Sequence, residues 1–128
     1  MLFLSFEKLS EFDGTAFIEI QFCNMPFQTS IEKIVDVDNI NFRKNDSLYI
    51  YHEDDTAFYQ QYGHIFNCGI YGNLETGNVD LYGINYYSPD NIDSLIETII
   101  REKPSDYEVL TEWLNMAKNY NGLYVLGL

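Results

Sequence analysis

No lysine or arginine occurs from Asn45 to Ile100, yet that stretch holds Asp46, Glu53, Asp54, Asp55, Glu75, Asp80, Asp90, Asp93 and Glu97. The whole chain has 20 acids against 7 lysines and arginines, a net charge of −13. Such a surface repels phosphates, so direct nucleic-acid binding is not expected. Cysteine is scarce: Cys23 and Cys68 each sit in an apolar, strand-like run, which reads as two buried thiols rather than a disulfide, and two are too few for a zinc site. Three prolines and 21% charged residues do not make a disordered chain. No apolar run reaches membrane-spanning length, and Met1 to Glu7 lacks the basic start of a signal peptide; a cytoplasmic location is expected. The glycines fit neither a dinucleotide fingerprint nor a P-loop, so no cofactor is expected.

What is present suits one globular domain over residues 1–128, with 46% hydrophobic residues and roughly two-thirds of the unfolded surface buried. Leu2, Leu4 and Phe6 alternate with Phe3 and Ser5, predicting a first strand that ends near Lys8, with a break at Asp13-Gly14. Thr15 to Cys23 predicts a cleaner strand, with Ile18, Ile20 and Phe22 buried and Phe17, Glu19 and Gln21 on a wet face. The β-branched run of Ile31, Ile34, Val35 and Val37 predicts a strand from Lys33 onward. After a turn at Asn45-Asp46-Ser47, Leu48, Ile50 and His52 alternate with Tyr49, Tyr51 and Glu53, predicting a short strand with its tyrosines outward. Glu53 to Thr56 reads as an acidic connection, and Ala57 to Tyr62 leads into a β-hairpin. Its arms are His64–Tyr71 and Val79–Tyr87, with turn chemistry over Gly72–Asn78. Gly63, Gly69, Gly72 and Gly83 mark bulges there.

Two helices follow. Ser88 as N-cap and Pro89 in the first turn open one whose buried stripe is Ile92, Leu95, Ile96, Ile99 and Ile100. After Pro104, a capping box of Ser105 and Glu108 opens the second, with Leu110, Trp113, Leu114 and Ala117 on one stripe and Asn121-Gly122 at its end. Leu123 to Leu128 is apolar on both faces and predicts a buried strand. Many strands, two helices and a final strand predict an α+β fold: a mainly antiparallel, strongly bent sheet, two consecutive helices near the C-terminus packed on one face, and a C-terminal strand.

His52-Glu53-Asp54-Asp55 is the one sequence cluster with metal-binding or acid–base side chains. On a strand His52 and Asp54 would share a face, but a third ligand is missing and the spacing fits no calcium or zinc loop, so a solvated acidic turn is the expectation. A small enzyme using His52, Asp54 or His64 is the alternative. His64 and Cys68 could share a strand face as a nucleophilic pair, but Phe66 and Ile70 flank the thiol and predict an inert, buried one.

Eight of the eleven tyrosines also lie in the segment without lysine or arginine: Tyr49, Tyr51, Tyr59, Tyr62, Tyr71, Tyr82, Tyr86 and Tyr87. Tyrosine offers broad contact area with a polar tip, and carboxylates steer and pair with basic partners. Strand propensity and solubility also favour these residues, but solubility is ordinarily met by interspersed charges of both signs. The coincidence therefore predicts a surface for a basic protein, such as a nucleic-acid-handling enzyme with an electropositive channel. Its expected contacts are Tyr49, Tyr51, Glu53, Asp54, Asp55, Tyr59, Glu75, Asp80 and Tyr82. In size, charge, the acidic tyrosine-bearing stretch from Tyr49 to Tyr87 and the Ser88-Pro89 helix, the chain resembles the small acidic α+β immunity proteins of bacterial toxin systems, including contact-dependent growth inhibition. The resemblance is one of type across the whole chain and carries over no residue by position. It implies a non-catalytic inhibitor that occludes a cognate toxin domain, often a nuclease. A phage-encoded inhibitor of a host defence nuclease would use the same kind of surface.

Overall fold

The computed structural model describes residues 1–9 and 16–127. The described elements are, in order, the single turn α1 (Phe6–Leu9), β1 (Phe17–Phe22), α2 (Ile31–Ile34), a 3-10 turn (Val37–Asn39), β2 (Leu48–Tyr51), a 3-10 turn (His52–Asp54) and α3 (Asp55–Tyr62). Then come β3 (Gly69–Tyr71), β4 (Thr76–Gly77), β5 (Ile84–Tyr87), a 3-10 turn (Pro89–Asn91), α4 (Ile92–Glu102), α5 (Tyr107–Ala117) and β6 (Leu123–Leu126). The sheet runs β2-β1-β6-β5-β3-β4, with every neighbouring pair antiparallel. The fold is α+β, and its C-terminal strand is central.

All four residues of β6 are buried, so both faces of the sheet need a cover. On one face Ile18, Ile20 and Phe22 of β1, Leu48 and Ile50 of β2, Tyr87 of β5, and Leu123 and Val125 of β6 pack against α3, α4 and α5. The helices contribute the stripes that their spacing predicts: Ile92, Leu95, Ile96 and Ile99 from α4, and Leu110, Trp113, Leu114 and Ala117 from α5. Phe22 stacks on Trp113 with ring centroids 4.0 Å apart and on Tyr120 at 4.4 Å. Ile100, expected in the α4 stripe, is exposed, because it lies at the stripe's margin, about 140° round the helix from Leu95.

The second face carries Cys23, Ile84, Tyr86, Tyr124 and Leu126, and the chain between β1 and β2 covers it with Ile34, Val35 and Ile40. This cover overturns two expectations. Ile31 to Val37 holds α2 and enters a 3-10 turn instead of forming a strand; both edges of β1 are already paired, with β2 and β6, which leaves it no room to join there. The supposedly wet face of β1 is dry, with Glu19 and Gln21 buried beneath the cover. Arg43, left-handed at φ 62°, turns successive N–H groups toward the Glu19 carboxylate. Arg43 N donates to it at 2.8 Å and Lys44 N at 3.0 Å, Ser47 Oγ at 2.7 Å and Gln21 Nε2 at 3.0 Å.

Other expectations are corrected locally. Leu2, Phe3 and Leu4 are all buried, so the alternation is not that of a strand: Leu4 alone pairs with Tyr49 before the chain coils into α1. The expected break at Asp13-Gly14 lies outside the described residues. Ala57 to Tyr62 is helical because Phe58 and Tyr62, four apart, bury one helical face while Asp55 occupies the first turn. The hairpin is shorter than predicted: Ile65 N and Phe66 N bond back to Tyr62 O, continuing the end of α3, and only Gly69–Tyr71 and Ile84–Tyr87 pair directly. Cys68 thus precedes β3 and is exposed. Ser88 begins a 3-10 turn before α4, and its side chain makes no cap bond to the backbone. The predicted capping box does not form; Asp106 occupies the N-cap of α5. That helix ends at Ala117, and the left-handed Gly122 leads into β6. A Cβ there would strike Tyr87 O and the Tyr86 ring.

Tyr49, expected to face outward, is 1% exposed. It belongs to a set of buried tyrosines whose hydroxyls each donate to a carbonyl in a connecting segment. Tyr49 reaches Lys44 O at 2.5 Å, Tyr62 Ser105 O at 2.7 Å and Tyr86 Asn121 O at 2.8 Å. Tyr87 reaches Phe66 O at 3.3 Å and Tyr124 Ile34 O at 2.6 Å. Burial pushes all five phenols above the ordinary tyrosine range, with the Glu19 carboxylate adding to the effect at Tyr49.

A phenol held neutral stabilises the fold in full below about pH 10, and that contribution is lost as pH rises past the unfolded value toward the folded one. Alkaline absorbance titration will therefore show these five tyrosines ionising only as the fold melts; ionisation of all eleven with the fold intact would contradict it. Glu19→Ala leaves buried donors without an acceptor and will lower unfolding stability by about 2–4 kcal/mol in urea titration. A loss below about 0.5 kcal/mol, the size of an ordinary surface change, would show that the carboxylate does not secure the second cover.

Candidate functional site

Setting aside the tyrosines that hold the fold together isolates the remaining ones. Within the acidic stretch Tyr49, Tyr62, Tyr86 and Tyr87 are buried, Tyr71 donates to Asn78 O, and Tyr51 is half-buried edge-on to Phe17. Tyr59 and Tyr82 are left exposed, at 44% and 74%. Both line one cleft of about 520 Å³ between α3 and the Val79–Tyr82 turn, together with Asp55, Thr56, Gln60, Val79, Asp80 and Leu81.

The helical wall follows from spacing, because Asp55 and Tyr59, like Thr56 and Gln60, are four apart and share a face of α3. The opposite wall is a turn built by Asp80. Its Oδ1 accepts from Tyr82 N at 2.9 Å, an Asx turn that fixes the backbone carrying the tyrosine. Asn85, fully buried on β5, locks the turn to the sheet: its Oδ1 accepts from Asp80 N at 2.8 Å, and its Nδ2 donates to Asp80 O at 2.7 Å and Val125 O at 2.9 Å. Gly127 donates to Gly83 O at 3.0 Å. A side chain at Gly127 would collide with the Leu81 carbonyl, so glycine there lets the turn lie against the end of β6.

Of the nine expected contact residues, the structure brings Asp55, Tyr59, Asp80 and Tyr82 to this cleft. Glu53 is exposed in the 3-10 turn that leads into α3. Asp54 is half-buried beside a different hollow, with Met1, Leu2 and Asp106. Glu75 sits on the β3–β4 turn at the sheet edge, where its N–H bonds Asn73 Oδ1. Tyr49 and Tyr51 lie on the second face of the sheet, as their pairing with Glu19 and Phe17 requires. Thr56, Gln60, Val79 and Leu81 were missed by sequence reasoning. The i, i+4 spacing within Asp55–Tyr62 and the Asp80-x-x-Gly83 turn signal were the clues to them.

Of the residues of the enzyme alternative, His52 and Asp54 share the 3-10 turn ahead of α3. His52 Nδ1 lies 3.5 Å from Asp55 Oδ2 ahead of α3, whereas His64 follows the helix and meets Glu102 at 2.5 Å. Among the described residues no three histidine, cysteine, aspartate or glutamate side chains form a metal-binding group. A second cleft, of about 360 Å³, lies over Glu19 and is lined by Phe17, Val37, Phe42, Arg43, Tyr49 and Leu126. Its carboxylate is engaged by the chain's own donors, so it serves as an internal anchor. No helix among the described residues is long and apolar enough to cross a membrane. No family model, curated protein or solved structure matches the chain.

Asn85→Ala should cost about 2–3 kcal/mol, because it removes three hydrogen bonds made by a fully buried side chain, and should speed amide hydrogen exchange at Asp80 and Tyr82 relative to α4. Unchanged exchange there would mean that Asn85 does not hold the turn.

Proposed function

We propose that the chain is a non-catalytic inhibitor that binds a basic protein, a cognate toxin domain of the nucleic-acid-handling kind, through the cleft between α3 and the Val79–Tyr82 turn. The supporting observation is that the two exposed tyrosines of the acidic stretch line one cleft with Asp55 and Asp80, in a segment devoid of lysine and arginine. Aromatic side chains with a polar tip make effective interface anchors. The surrounding carboxylates would speed encounter with an electropositive surface by charge steering. Inhibition would be steric and electrostatic, by covering the toxin's active site or substrate channel in the cytoplasm, and needs no chemistry from this chain.

A growth assay tests the proposal. The C-terminal domain of the protein encoded just upstream is induced with and without this chain, and rescue from toxicity is expected. Toxicity without rescue contradicts the pairing. With a toxin identified in this way, Glu53→Gln, Asp54→Asn and Asp55→Asn together should slow association about tenfold at low ionic strength and progressively less as salt rises. The melting temperature should fall by no more than about 3 °C. An association rate independent of both salt and these substitutions would exclude charge steering.

A further inference from the structure

We propose that the cleft is a receptor for an arginine side chain of the partner, in preference to lysine; this rests on reading the cleft as the partner-binding surface. Three features favour a guanidinium. The walls present two exposed aromatic rings, Tyr59 from α3 and Tyr82 from the turn. Val79 and the half-buried Leu81 also line the cleft, giving apolar surface on which a long aliphatic stem can rest. Each wall also carries a carboxylate, Asp55 on the helix, beside His52 Nδ1 at 3.5 Å, and the exposed Asp80 on the turn.

A guanidinium suits this combination better than an ammonium. It is planar and weakly hydrated, stacks on aromatic faces and pairs with carboxylates through two parallel N–H groups. An ammonium is a compact, strongly hydrated charge that gains less from aromatic walls. The turn is also fixed before any partner arrives, through Asp80 Oδ1 to Tyr82 N and through Asn85. Little ordering cost is then left for the backbone that carries Tyr82. The chain's own lysines and arginines lie outside the stretch from Asn45 to Ile100 that builds both walls.

The test compares two probes of equal length and charge, octa-arginine and octa-lysine, titrated calorimetrically into the full chain at physiological ionic strength. Octa-arginine should bind about tenfold more tightly. The double variant Tyr59→Ala/Tyr82→Ala should reduce octa-arginine to the octa-lysine level, whereas Tyr82→Phe, which keeps the ring, should retain the preference. Far-ultraviolet circular dichroism and the melting temperature check that each variant folds. Equal affinity for the two peptides, or a preference that survives loss of both rings, overturns the arginine receptor. Absence of binding by either peptide overturns it as well. The growth assay makes no use of the arginine preference, so rescue with equal peptide affinities would remove this inference and leave the proposed inhibitor standing.

Discussion

Hydrogen bonds from buried tyrosine hydroxyls to carbonyls in the connecting segments are the interaction on which the arrangement depends. The sheet has a strand buried on both faces at its centre, and one of those faces is covered by a segment with only one helical turn and a 3-10 turn of regular structure. Such a segment brings polar backbone to the protein interior, and each buried carbonyl needs a donor. Tyrosine meets both needs, since its ring fills the core while its hydroxyl reaches beyond the ring. Tyr124 and Tyr49 thereby hold the cover through Ile34 O and Lys44 O, and Glu19 secures the same segment through its N–H groups. Tyr62, Tyr86 and Tyr87 do the same for the segments around Ser105, Asn121 and Phe66.

This division of labour separates two compositional biases that coincide in the sequence. The tyrosine excess is largely architectural. The acidic excess is not accounted for in that way: Glu19, the buried carboxylate, lies outside the stretch without cations, and Glu53, Glu75 and Asp80 within it are exposed. Where exposed tyrosine and carboxylate still meet, at the cleft between α3 and the Val79–Tyr82 turn, internal packing does not explain the exposed rings of Tyr59 and Tyr82. That residue of unexplained surface is the physical basis of the functional proposal.

The legible parts of the fold were those in which local pattern and tertiary role agree. The α4 and α5 stripes are set by periodicity and the buried final strand by an unbroken apolar run, so Leu95, Trp113 and Val125 lie where the sequence puts them. The misread parts depend on partners remote in sequence. Glu19 looks like a solvent-facing residue until Arg43, Lys44 and Ser47 fold over it, and Ile34 looks like a strand residue until β1 proves to be paired on both sides. Asp55, Tyr59, Asp80 and Tyr82 were legible as a chemical type. Their convergence was not, because it requires α3, which the dense run of tyrosines and other β-formers disguised.

The most direct test of the account is a hydrogen-exchange footprint of the chain bound to the toxin domain whose toxicity it relieves. Protection concentrated on residues 55–62 and 79–83 is predicted. Protection confined to residues 37–43, over the Glu19 cleft on the other face of the sheet, with α3 unchanged, would contradict the assignment of the binding surface.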